Sequence, residues 1–361
     1  MESGQGSKRI PKKRSGRLWF RISTLIDSKS STNLEPTAIV GTFYVLAPYP
    51  FQWFILNMKG NAMKRIIFII VLVLVAGSWG GNLWYYHKSQ LPEPVFFNHY
   101  IEVENSPGFS FDLLYLENKS AKTKMSWIEI PELPNVQILP NPVVNSYAHQ
   151  TQGTMHVEIM DFDLVQPEFP ENGPLVIHRV LAHFDDNSSK EMDIGEIQVH
   201  PADPKFGEAP LQGSSWGSSS EKAGYTRFKF TKDAQLTGIT SAYLPQLSDR
   251  LNVILDAASI RNLEQKEINF SSQGNYSGVP LEKIPFPLKF KSGETATVTY
   301  QFEHPDSAGP VAKTDVYRFL LYMELETDQG VSSRERIFVD NTPYLTNREV
   351  ADFVKARRSG L

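Results

Sequence analysis

The chain has no cysteine among its 361 residues. Disulfides, Cys-ligated zinc, iron–sulfur clusters, thiol catalysis and a lipid-modified cysteine are thereby excluded. It also lacks the alternating strand–helix pattern of a doubly wound nucleotide-binding sheet. No P-loop, H-E-x-x-H or EF-hand spacing occurs. The third lack is local: no residue from Ile66 to Tyr86 is charged.

That uncharged stretch is the strongest signal present. Ile66–Ala76 is apolar on every helical face, so a surface helix with a polar stripe does not fit. Twenty-one residues at about 1.5 Å each reach roughly 30 Å, the thickness of a hydrocarbon core. Lys64 and Arg65 flank its start, and Trp79, Trp84, Tyr85 and Tyr86 gather at its end, as interfacial rings do. The charge is split to match. Residues 1–65 hold 11 basic and 3 acidic side chains, and the remainder holds 25 basic and 37 acidic. A basic head could serve nucleic acid, but the apolar run makes it the cytoplasmic flank of an anchor, with the acidic body outside. The bilayer, met through residues 66–86, is thus the first expected partner, and nucleic acid is not one. The alternative is a secreted chain cleaved near Ser78, since Ala76-Gly77-Ser78 has small residues where a signal peptidase needs them.

Residues 1–62 read differently from the rest: basic, Ser-rich, then aromatic and broken by Pro48 and Pro50. Met63-Lys64-Arg65 before an apolar run is how a signal-anchor begins, and Lys59-Gly60 reverse-translates to a purine-rich stretch resembling a bacterial ribosome-binding site. Residues 1–62 are therefore read as an over-called extension, and 63–87 as the anchor.

Beyond the anchor the pattern is mainly β. Short runs rich in β-branched and aromatic residues alternate with Pro, Gly, Asn and Ser punctuation. Thr154–Val165 alternates with Met155, Val157 and Ile159 on one face, the mark of a half-buried strand. Thr154–Pro201 and Thr297–Pro343 share an order of strand, acidic loop, long strand, turn and strand. This weak repeat suggests two immunoglobulin-like antiparallel sandwiches, at 88–202 and 225–345, joined by a Gly/Ser-rich loop or linker at 203–224; the alternative is one larger β-rich domain. Thr346-Asn347-Arg348-Glu349 is a capping box, so 346–361 reads as a short C-terminal helix with Val350, Phe353 and Val354 facing inward.

Catalytic signals are weak. Gly213-Ser214-Ser215-Trp216-Gly217 matches G-x-S-x-G without the flanking strand and helix that the motif needs. Ser219-Ser220-Glu221-Lys222 matches S-x-x-K without its companion elements. His178 and His183 fall on opposite strand faces. Asp161 and Asp163, and the group Asp185, Asp186 and Asp193, read as solvated strand and turn acids. The reading assigns no catalytic residue, no metal and no cofactor. It favours a binding or structural role at the cell surface, toward a cell-surface or cell-wall protein or a glycan. The alternative is a membrane-tethered ecto-enzyme acting on wall polysaccharide or peptide. Phe169 and Trp216, in the two longest loops expected, are the candidate binding residues.

Overall fold

The computed structural model describes residues 62–105, 109–134, 136–158, 169–170, 173–201, 209–219, 222–270, 274–303 and 309–360. The irregular segment expected at 1–62 falls outside them up to residue 61, as do Asp161 and Asp163. The chain divides into two compact units, Met1–Leu72 and Val73–Leu361.

The first helix, α1 (Ala62–Lys88), is the one helix among the described residues long and apolar enough to cross a membrane. None of its residues is buried in protein. Its last turn is tied to the body. Arg358 Nη1 donates to the carbonyls of His87 and Gln90 at 2.6 and 2.9 Å. His87 O has no partner inside the helix and otherwise accepts only from Gln90 N at 3.4 Å, so the guanidinium completes it where the helix dipole is negative. Tyr86 donates its hydroxyl to Ser120, and Gln150 Nε2 donates to Ser89 O at 2.6 Å.

The body is built of strands in three sheets. The first sheet holds β1 (Val95–Phe96), β3 (Ser110–Asn118), β6 (Gln150–Glu158) and β5 (Gln137–Ser146), in that spatial order and antiparallel throughout. Pro140 and Pro142 sit in β5, an edge strand, where a missing N–H costs no ladder bond. The second sheet runs β15 (Leu288–Phe290), β11 (Ala234–Thr240), β17 (Val316–Thr327), β2 (His99–Glu104), β8 (Ser189–His200), β7 (Leu175–Phe184) and β4 (Met125–Glu129). Its eighth strand, β18 (Ser332–Asn341), pairs with β17. The third sheet runs β13 (Lys266–Phe270), β14 (Gly274–Pro280), β12 (Leu251–Ala257), β16 (Thr295–Phe302), β10 (Ala223–Phe230) and β9 (Leu211–Ser219).

The pairing departs from the expected all-antiparallel pattern at β2, which is parallel to both β8 and β17. Val95–Glu104 reads as one run in the sequence, but the chain changes sheet at Phe97-Asn98: β1 joins the first sheet and β2 the second. Both neighbours of β2 reach it through long connections, and such connections can deliver a parallel strand. The β2–β17 ladder covers only Val316–Arg318. Past it, Leu320 N donates to the Glu102 carboxylate at 3.3 Å, so a side chain takes over where the strands separate.

Alternation places the cores. Phe111, Leu113, Met155, Ile177, Ile194 and Ile197 belong to one buried cluster, drawn from the first sheet and from β2, β8, β7 and β4. Phe228, Leu236, Leu255, Val298, Phe319 and Ile337 belong to another, drawn from the third sheet and from β11, β17 and β18. The C-terminal helix, α2 (Asn347–Arg358), buries Val350, Phe353 and Val354 against Phe97 and Leu114. Its capping box is formed on both sides: the Thr346 side chain accepts from Glu349 N, and the Glu349 carboxylate accepts from Thr346 N.

Within the loop or linker expected at 203–224, residues 203–208 and 220–221 lie outside the described residues, and the Gly/Ser-rich part between them is a strand. Leu211–Ser219 is β9, paired with β10 from Phe230↔Leu211 to Ala223↔Ser219. Glycine and serine are poor strand formers, but the strand propensity scale spans only about 1 kcal/mol, and context overrides it. Here the context is the edge of an already formed sheet, whose free backbone groups the segment satisfies.

Candidate binding groove

β9 and β18 are edge strands of different sheets, and an open groove lies between them. Its cavity volume is about 1020 Å³. β9 contributes Trp216, which pairs across the ladder with Thr226 and shares the face that carries the buried Phe228. Trp216 thus stands on the core-side face of its sheet, beyond the core, and is 80% exposed. Asp340 N donates to Tyr300 Oη at 3.2 Å, and Tyr300 faces Gly224, so β18 at Asp340 is level with the Lys222 end of the groove. Burial pushes the Tyr300 hydroxyl up to about 12, which keeps it neutral and able to accept that bond.

The groove gathers exposed rings. Beyond α1, four large aromatic side chains stand exposed among the described residues: Trp127, Trp216, Phe338 and Tyr344. Three of the four, all but Trp127, line this groove. Trp127 is already stacked on the His183 ring, with centroids 3.8 Å apart. Phe338 is 57% and Tyr344 77% exposed. A smaller cavity of about 190 Å³ shares Arg318, Asp340, Thr342 and Tyr344 with the first, and so extends it toward Asp112 and Gln152.

The groove's charges are mixed. Arg336 Nη2 is 2.5 Å from Glu104 Oε2, and both side chains are buried. Burial pushes the Glu335 carboxyl up, and pushes the Lys222 ammonium down. Among the described residues neither Lys222 nor Arg318 forms an ion pair, but Glu349 acts on the Lys222 ammonium and Asp340 stands directly across the ladder from Arg318. Behind this wall Glu102 is held by Tyr322, whose hydroxyl donates to it at 3.1 Å, and His200 Nε2 stands 3.1 Å from it.

The two residues singled out from sequence are separated in role. Trp216 is a groove residue, on a strand rather than on the loop expected. Phe169 is half-buried and packs against the core cluster of the first sheet. Gly213–Gly217 lies wholly inside β9, with no strand-to-helix elbow at Ser215. The turn acids are engaged locally: Asp186 Oδ1 accepts from Ser188 N at 3.0 Å, and Asp193 takes Arg179 Nε at 3.0 Å. Among the described residues no group of three acidic or histidine side chains could hold a metal ion. Phe338 and Tyr344 were missed by sequence reading. Phe338 sits between Ile337 and Val339 and reads as core until alternation is phased. Ile337 and Val339 are buried, which turns Phe338 outward.

No protein-family model matches the chain, and no curated protein does. Among solved structures, the D00-D0 domain of intimin is similar at 12% identity, over 69% of this chain and 98% of that one, with a TM-score of 0.18. Fibronectin(III)-like modules of Clostridium thermocellum CbhA are similar at 9% identity, over 72% and 95%, with a TM-score of 0.16. Superposition that slight assigns no function.

Proposed function

We propose that this is a single-pass membrane protein whose β-rich body lies outside the cytoplasm and binds a partner at the cell surface. In this reading α1 is the anchor and the N-terminus is cytoplasmic. The body is two immunoglobulin-like sandwiches, at 88–202 and 225–345, that share the eight-stranded sheet through the β2–β17 ladder. The anchor is supported by an apolar helix of Ala62–Lys88, by Lys64 and Arg65 at its start and by the aromatic group at its end. Binding rests on one observation: among the described residues beyond α1, three of the four exposed large aromatics line one open groove. Aromatic side chains left in water on a concave surface are the usual anchors of an interface.

The test is capture from cell-surface extracts by the full chain in detergent, with Trp216→Ala beside it. The substitution truncates a ring that touches little, so thermal unfolding should be unchanged while the specific partner is lost. A partner retained in full by Trp216→Ala would remove the groove from the account.

A further inference from the structure

The groove differs from an ordinary hydrophobic patch in having a sheet edge for one wall. β9 has no charged residue and no proline along Leu211–Ser219. Exposed edge strands normally carry such residues, because an unprotected edge recruits another strand. The one irregularity of β9 is at Ser214, where the register shifts and the Ser214 hydroxyl bonds back to Arg227 O at 3.1 Å. Gly217 and Ser218, beyond the bulge, keep regular pairing with β10. Both line the groove, on an edge strand whose other side pairs with no further strand. The groove stretch Gly213–Ser219 is seven residues, about 23 Å at 3.3 Å per residue.

We propose that the groove takes an extended peptide, added as a β-strand along β9, with an apolar side chain against Trp216 and an acidic one toward Lys222 and Arg318. The proposal rests on the binding reading above and names the chemistry of its partner. A peptide strand matches three features together. Its backbone pairs with the uncharged edge of β9. Its side chains alternate, so every second one points to the core-side face where Trp216 stands uncovered. Its carboxylate meets two cations that form no ion pair among the described residues. A glycan would use the rings but has no use for the sheet edge.

The experiment is selection from a library of random nine-residue peptides displayed on phage, against the full chain in detergent micelles and against its Trp216→Ala variant. Selected peptides should carry apolar residues at every second position and an Asp or Glu near one end. Synthetic copies should bind the Trp216→Ala chain at least about tenfold more weakly. Methylating every second backbone amide, in one of the two alternating sets, should abolish binding. Peptides that bind equally well with either set methylated, or a selection that does not distinguish the two chains, would overturn the proposal. Chitohexaose is the control. If it quenches Trp216 fluorescence while no peptide is enriched, the groove binds glycan, so the binding reading stands and the strand proposal falls. If neither probe distinguishes the two chains, both fall.

Discussion

Tyr115 lies over Gly153, and Tyr300 over Gly224, as direct cross-strand pairs in two different sheets. In each case an added Cβ would sit inside contact distance of the tyrosine ring. Gly153→Ala and Gly224→Ala should each cost about 1–3 kcal/mol in chemical denaturation, as overpacked core sites do. Gly213→Ala meets nothing within 4 Å and should stay within about 0.5 kcal/mol. Equal effects at all three positions would contradict this packing. His99 carries a second prediction. Its Nε2 accepts from Leu114 N and its Nδ1 donates to Ile194 O, both at 2.9 Å. Burial pushes its pKa from 6.5 to about 4, and only the neutral ring fits both bonds. A depressed histidine stabilises fully above its unfolded value of about 6.5. That contribution is lost as pH falls toward 4, by up to roughly 3 kcal/mol in total. Gln offers the same donor and acceptor without a titration, so His99→Gln should flatten the stability slope between pH 6.5 and 4. An unchanged slope would show that His99 is not its source. None of these pairs was legible in the sequence. A tyrosine and a glycine 38 or 76 residues apart leave no local pattern, and a buried histidine looks like any other.

Elements differ in how plainly they were written. α2 could be read from four residues, because a capping box is a local device: Thr346 and Glu349 bond to each other's backbone whatever the rest of the chain does. Thr346→Ala should cost about 1 kcal/mol and let the first turn of α2 exchange its amides faster. No change in either would mean that packing of Phe353 alone holds the helix start. β6 was legible through alternation from Thr154 to Glu158, the rest of the run expected to Val165 lying outside the described residues. β9 was not, because its Gly and Ser residues carry a loop signal and its strand conformation comes entirely from β10. The consequence reverses a sequence-based expectation. Deleting Gly213–Ser219 looks harmless if the segment is a linker, but the structure makes it part of an edge strand paired with β10. The deletion should lower the thermal midpoint and expose the β10 amides to rapid hydrogen exchange. A deletion variant with native stability would mean that β9 is an ornament on the sheet. Trp216→Ala, by contrast, leaves the strand in place.

At the scale of the whole molecule, mainly-β composition, an apolar N-terminal helix and a short C-terminal helix were all legible, since each follows from periodicity or composition. The way the halves of the body join was not. The Val316–His99 pairing spans more than 200 residues of sequence, and three ladder positions leave no signature. The groove follows from two edges that no local pattern assigns to one site. Where the molecule sits in a cell is the claim on which the rest depends, because a binding groove that faces the cytoplasm would meet a different set of partners. Lys64 and Arg65 directly before the apolar run, against 25 basic and 37 acidic residues after it, set the expected orientation. The most direct measurement is protease digestion of intact cells, followed by blotting with antibodies to the body and to an epitope tag fused before Met63. The account predicts that the body is degraded while the N-terminal side stays protected until the membrane is permeabilised. A body that survives digestion of intact cells and is lost only after permeabilisation would contradict it.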